Sequence, residues 1–240
     1  MLLVESAPSS SLGSFSAGLI PKAAFWIATA SIWLCYIIAV HLGQEPPFPH
    51  CWISGTAGHY PTYIIFRLGT ISGSTLLILS WLINHFWIRQ VSELANFKVL
   101  RFLPQIGLIF GIMGALGLMG STANIDTGTR NEKWHTTCAS IFFIGAGLSS
   151  TYNTFVATAM CYYGVISKKD YLPKLILTVL LFIQVYISNH HGTTYGTFAT
   201  GPLGNDIDHI LEYTAAFTIL FYIYIIGMDV RKYNLVYEWK

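Results

Sequence analysis

The feature that most limits what this chain can become is a set of six apolar stretches, at about 24–41, 63–87, 102–123, 135–163, 173–189 and 209–228, which fill most of its 240 residues. Each is close to the roughly 20 residues an α-helix needs to cross the apolar core of a bilayer. Most lack the alternation of a helix resting one face on a soluble core, so they read as membrane spans. Charge agrees: Asp, Glu, Lys and Arg make up 10% of the chain, against about 25% in an ordinary soluble domain, and mean hydropathy is +0.54. So few charges cannot coat a water-facing surface. The expected fold is all-α, a single bundle of six transmembrane helices over residues 24–229. A flexible tail (1–23) precedes it and a short tail (230–240) follows. Proline marks three helix entrances: Pro61 before the second, Pro104 in the third and Pro173 at the start of the fifth. Its missing N–H costs nothing in a first turn.

Orientation follows from the basic residues. Ten of the thirteen Lys and Arg fall in the N-terminal tail (Lys22), the 87–101 loop, the 164–174 loop including Lys174, and the C-terminal tail. The opposite loops hold Arg130 and Lys133, and Arg67 lies at a helix start. Basic residues stay on the cytosolic side, so both termini are expected in the cytosol, with loops 42–62, 124–134 and 190–208 facing the lumen or exterior. Residues 1–22 lack the charged and apolar regions of a signal peptide, and the first apolar helix reads as the signal anchor. A net charge of +2 with no basic cluster argues against nucleic acid. Cys35, Cys51, Cys138 and Cys161 show no metal-ligand or disulfide spacing. No HxxxH or HExxH occurs and His190–His191 are adjacent, so no metal or other cofactor is expected.

The third stretch carries Gly107, Gly111, Gly114, Gly117 and Gly120. Small residues at helical spacing let two helices approach closely in lipid. Packing inside the bundle is the first reading; a second chain docking on Gly107, Gly111 and Gly114 is the other. The fourth stretch carries Thr151, Asn153, Thr154 and Thr158, whose polar groups should face protein, because lipid offers them no partner.

The ionisable residues are unevenly placed. Under this topology the second, fourth and sixth helices all enter from the lumenal side. Arg67, His135, and the pair His209 and Glu212 stand near their starts. His190 and His191 end the fifth helix and Asn124 the third, at about the same depth. Ionisable groups in a membrane domain are expensive and usually mark a site. Three readings stand: a structural Arg67–Glu212 pair beside wet histidines; a phosphate or carboxylate head group bound by Arg67 and the helix N-termini; or acid–base work by His135 and Glu212 on an ester. Under either site reading, Arg67, His135 and Glu212 should converge on one cavity, with His190 or His191 at its rim. The Pro- and aromatic-rich first lumenal loop could cap this layer. Charges at the other end read as interfacial anchors.

The segment CWISGTAGHYPTYIIFRLG, STANID closing the third stretch, HTTCASIFFIGAG opening the fourth and ILEY in the sixth resemble the signature segments of the Frag1/DRAM/Sfk1 family. The resemblance runs from about residue 24 to 233 and implies a six-span membrane protein. Within the family it is closest to the branch needed for lipid remodelling of GPI anchors. An aromatic before Arg67, the histidines after the fifth span and Glu212-Tyr213-Thr214 carry that likeness. ISGTAG and STANID lean toward the autophagy-modulator branch, although Gly55 stands where that branch has an acidic residue. The resemblance therefore implies a Golgi or endoplasmic reticulum membrane factor acting on a membrane lipid or GPI-anchored protein. The alternative is a lysosomal autophagy modulator or a plasma-membrane scaffold for a phosphoinositide kinase. It leaves open whether the chain is an enzyme.

Overall fold

The computed structural model describes residues 2–4, 14–94, 102–125, 132–195 and 202–236. Six long helices account for most of them: α1 (Leu19–His41), α2 (Thr62–Leu94), α3 (Leu103–Ala123), α4 (Glu132–Tyr162), α5 (Lys168–Tyr195) and α6 (Pro202–Asp229). Consecutive helices are neighbours, and α6 closes the ring by returning against α1, while also touching α2 and α4. Large apolar side chains such as Trp26, Leu68, Ile144 and Phe182 face outward, each more than half exposed, whereas Ser74, Ser80, Asn84, Ser149, Asn153 and Thr154 are buried. A soluble protein does the reverse. The pattern is that of a bundle solvated by lipid.

Among the described residues, five helices are long and apolar enough to cross a membrane: α1, α2, α3, α5 and α6. The α4 helix is long but less apolar, because of its run of Ser, Thr and Asn. Ser149, Ser150, Asn153 and Thr154 among them are buried in the bundle. The Ser149 hydroxyl donates to the Gly107 carbonyl (2.6 Å), and Asn84 Nδ2 donates to Asn153 Oδ1 (2.7 Å). The Thr154 hydroxyl meets those of Thr178 (2.8 Å) and Tyr222 (2.9 Å).

The glycines of α3 are consumed by this packing. A Cβ at Gly114 would lie 2.8 Å from the Ala146 backbone, and one at Gly117 would lie 2.6 Å from the Phe142 backbone. Gly107 faces Asn153 and Gly111 the Trp81 ring. The stripe is therefore buried against α4 and α2 of the same chain.

Helix starts follow local chemistry. Pro61 immediately precedes α2, and the Thr62 hydroxyl donates to the His59 carbonyl (2.7 Å). Pro104 lies in the first turn of α3. The fifth helix differs from the sequence expectation: it begins at Lys168, and Pro173 lies inside it. Ser167 sets the earlier start, its hydroxyl bonding the Asp170 carboxylate (2.7 Å) and accepting from the Asp170 N–H (3.3 Å).

Short stretches before α1 and after α6 form strands. Strands β1 (Leu2–Val4), β2 (Ser14–Ser16) and β3 (Asn234–Val236) form an antiparallel sheet in the order β1-β3-β2. Ala17 N donates to the Tyr233 carbonyl (2.8 Å) and the Ser16 hydroxyl to that of Arg231 (3.0 Å). The start of α1 and the end of α6 therefore meet at one end of the bundle. The segment between α1 and α2 closes the other.

Lys174 departs most from the sequence reading. It is not a loop anchor but a buried residue, 3% exposed, whose ammonium pairs at 2.5 Å with Asp229 (5% exposed) and lies over the Trp87 ring. The earlier start of α5 turns it inward.

Candidate functional site

The site is built where the 42–61 segment lies across the start of α6. This segment is short, polar in its backbone and rich in proline, so its donors and acceptors must be met by neighbours. Three residues of α6 meet them. Glu212 Oε2 accepts from the Ile53 N–H at 2.8 Å. His209, 6% exposed, donates through Nδ1 to the Pro49 carbonyl at 2.9 Å, with its ring edge-on to Trp52. Asp206 Oδ1 pairs with His50 Nδ1 at 2.8 Å. Positions 206, 209 and 212 are one helical turn apart each time, so a single face of α6 clasps the loop. Apolar contacts complete the clasp: Phe48 packs edge-on against Tyr213, and Ile53 and Ala57 are buried with Tyr213 and Ala216.

Other contacts tie the loop to the first two helices. The Tyr36 hydroxyl accepts from Phe48 N (3.1 Å), and Gln44 Nε2 donates to the Tyr60 carbonyl (2.9 Å). Cys51 is 1% exposed, its sulfur 3.7 Å from the Tyr213 hydroxyl. Burial pushes its thiol up from the ordinary range; the Tyr213 contact opposes this, and the nearby Glu45 and Glu212 carboxylates add to it. The Glu45 carboxylate stands 3.3 Å from where a Gly55 Cβ would be, so an acid is present beside that glycine although not at it.

Glu212 and His135 bond other partners than each other or Arg67. Arg67 and Glu212 form no ion pair; Arg67 lies over the Tyr63 ring, 5.5 Å from its centroid, and its buried Nε has no hydrogen-bond partner. Glu212 is engaged by the loop backbone instead, because Ile53 offers an N–H that the loop's own turns leave unpaired. His135 donates through Nδ1 to the Ser121 carbonyl (2.9 Å), near the Ser121 hydroxyl (3.1 Å), so it ties the start of α4 to the end of α3. Asn124 caps the same helix end, its amide donating to the Gly120 carbonyl (2.7 Å). His190 and His191 lie in the α5 backbone, but their side chains fall outside the described residues.

Sequence reasoning missed the His50–Asp206 pair and the role of Pro49 and Ile53. A charged residue at 206 and a histidine in the capping loop were visible, but backbone partners are not. Among the described residues, no group of three His, Cys, Asp or Glu could hold a metal ion. The arrangement can therefore fasten a loop over one end of the bundle.

No individual curated protein and no solved structure matches the chain. A family profile described as the Frag1/DRAM/Sfk1/Cwh43P N-terminal domain matches residues 16–233, from the end of β2 through all six helices to the turn after α6. On that match, over a bundle whose outward face is apolar, the chain belongs to the Frag1/DRAM/Sfk1 family of multi-pass membrane proteins.

Proposed function

We propose that the chain crosses the membrane six times with both termini in the cytosol. In this reading it serves lipid remodelling of GPI anchors in the Golgi or endoplasmic reticulum by holding an anionic lipid head group beneath the lumenal loop. Parity supports six crossings. The start of α1 and the end of α6 are hydrogen-bonded to each other, which an odd number of crossings forbids. The α4 helix suits the sixth crossing. Its outer face is Ile141, Ile144, Leu148 and Phe155, and exposed Trp134 and Tyr162 stand near its two ends. Twenty-eight residues of helix separate them, about 42 Å, the thickness of a bilayer with its interfaces, where such aromatics settle.

The observation that carries the head-group reading is Arg67. It shares a stripe of α2 with Thr70, Ser74 and Leu77, all buried, so it faces the interior. Its Nε is buried without a partner, and the carboxylate expected to neutralise it, Glu212, is occupied by Ile53. An unneutralised guanidinium in a membrane domain is costly, and a phosphate matches its fork of donors. Head-group binding is favoured over acid–base catalysis, because His135 and Glu212 are each committed to a different backbone group. The likeness of Phe66-Arg67 and Glu212-Tyr213-Thr214 to the GPI-remodelling branch points to that lipid.

The test uses cells lacking the protein, complemented with wild-type or Arg67→Met chain. The lipid moiety of their GPI-anchored proteins is then profiled. Unremodelled anchors in the knockout and in Arg67→Met, at wild-type protein level, support the reading. Normal anchors in the knockout remove it. They would turn attention to the alternative that ISGTAG and STANID suggest, an autophagy-modulator-like or kinase-scaffolding protein, which a lysosomal or plasma-membrane location would favour.

A further inference from the structure

We propose that a groove on the outside of the bundle between α5 and α6, near the end where the termini meet, holds one anionic glycerophospholipid, its acyl chain in the groove and its phosphate on Lys169. The groove has a volume of about 410 Å³ and is walled by Leu172, Pro173, Ile176, Leu177, Phe221 and Ile225, with Lys169 at its outer end. Its only charged lining group therefore sits at one end of an apolar trough. That is the polarity of a phospholipid lying along a helix.

Three observations support this occupant. First, α5 is the least covered of the five spans: 17% of it is buried, against 39–50% for the others, so this side of the bundle is open to lipid. Second, Lys169 keeps its charge for an outside partner. Lys174, one turn further on, is turned inward onto Asp229, and the Asp170 carboxylate accepts from Ser167. No carboxylate among the described residues pairs with Lys169. Lys168, also exposed, stands beside it. Third, the volume is that of a small-molecule site. A stable protein partner would need about 800 Å² of contact on its side, and an apolar helix would leave Lys169 unanswered. Basic residues at the edge of a span attract anionic lipids. The groove lies at the opposite end from Arg67, so it stands or falls separately from the head-group reading there.

The test is native mass spectrometry of the full chain in mild detergent, titrated with dioleoyl phosphatidylserine or dioleoyl phosphatidylcholine. Wild type should retain one phosphatidylserine and far less phosphatidylcholine. Lys169→Gln should weaken phosphatidylserine retention roughly fivefold, the worth of one basic side chain at an anionic surface. Ile176→Trp, at a half-exposed position, should fill the trough and abolish retention of both lipids while leaving the melting temperature unchanged. Equal retention of the two lipids would overturn the proposal, as would an unaltered Lys169→Gln or Ile176→Trp. So would dimers appearing in place of bound lipid. Lys169→Gln leaves the core untouched and keeps the test valid if Ile176→Trp folds poorly.

Discussion

Gly117→Ala adds one methyl group where α3 and α4 are closest. The new Cβ would stand 2.6 Å from Phe142 N and 2.8 Å from the Cys138 carbonyl oxygen. Both are backbone atoms, so no rotamer change relieves the clash. Ordinary contact begins at 3.4 Å, leaving a shortfall of 0.8 Å that α4 must make up by retreating. Retreat loosens the neighbouring contact of Gly114 with Gly145 and Ala146 and stretches the Ser149–Gly107 hydrogen bond. Overpacking of this kind costs about 1–3 kcal/mol, against a gain of up to about 1 kcal/mol from replacing a helical glycine with alanine. The net loss should be about 1–2 kcal/mol, a fall in melting temperature of roughly 2–8 °C for a chain of this size. Gly147 supplies the control, because a Cβ there meets nothing within 4 Å. Gly147→Ala should keep the helix-propensity gain alone and melt at or slightly above wild type. Thermal unfolding of the three proteins in one detergent measures both effects. A Gly117→Ala protein as stable as wild type, or two variants shifting together, would refute the argument that backbone approach fixes this interface.

Asp229→Asn should cost about 3–5 kcal/mol by stranding the buried Lys174 ammonium, and the double variant Lys174→Met/Asp229→Leu should recover most of that in the same unfolding assay; no recovery would mean the pair is not the cause. Glu212→Ala should speed hydrogen exchange at the Ile53 amide about ten- to a hundredfold by leaving that amide without an acceptor, whereas Glu212→Gln, which retains an amide oxygen, should fall between; equal rates in all three proteins would place the clasp elsewhere. Cys51 should react slowly with maleimide. With its thiol pushed up by burial, its rate should go on rising above the pH at which an exposed thiol levels off, and the partly exposed Cys138 and Cys161 should label first.

The helices were legible because crossing a bilayer demands long apolar runs, and little in a chain can disguise them. Proline placed α2 and α3 correctly for the same local reason. At α5 it misled, since the start is set by Ser167 and Asp170, a polar pair just outside the apolar run. That five-residue error hid Lys174, which looked like a loop lysine until the helix turned it onto Asp229, 55 positions away. Of the polar residues of α4 expected to face protein, Asn153 and Thr154 do, whereas Thr158 is exposed and bonds its own helix at the Thr154 carbonyl. The terminal strands were illegible: three-residue strands pairing positions 2–4 and 14–16 with 234–236 leave no periodic trace. At the loop-capped end the residues singled out have other partners than the sequence suggested. Charge suggests charge as its partner, whereas Glu212, His209 and His135 all bond backbone groups, which look alike at every position of a sequence. Arg67 is thereby left without the expected carboxylate.

Only if α4 crosses the bilayer do the starts of α2, α4 and α6, with Arg67, His135 and Glu212, share one face of the membrane. Phe102, before α3, and Tyr162, the last residue of α4, share one end of the bundle if both helices cross, are 72% and 85% exposed, and report this directly. Single cysteines are placed there in a chain whose four native cysteines are replaced, and sealed microsomes are labelled with a membrane-impermeant maleimide. Six crossings predict that both positions are protected from outside and labelled only after permeabilisation if that end is lumenal, or both labelled at once if it is cytosolic, as proposed. One position labelled and the other protected would show that α4 does not cross and would put Arg67 and Glu212 on opposite sides of the membrane.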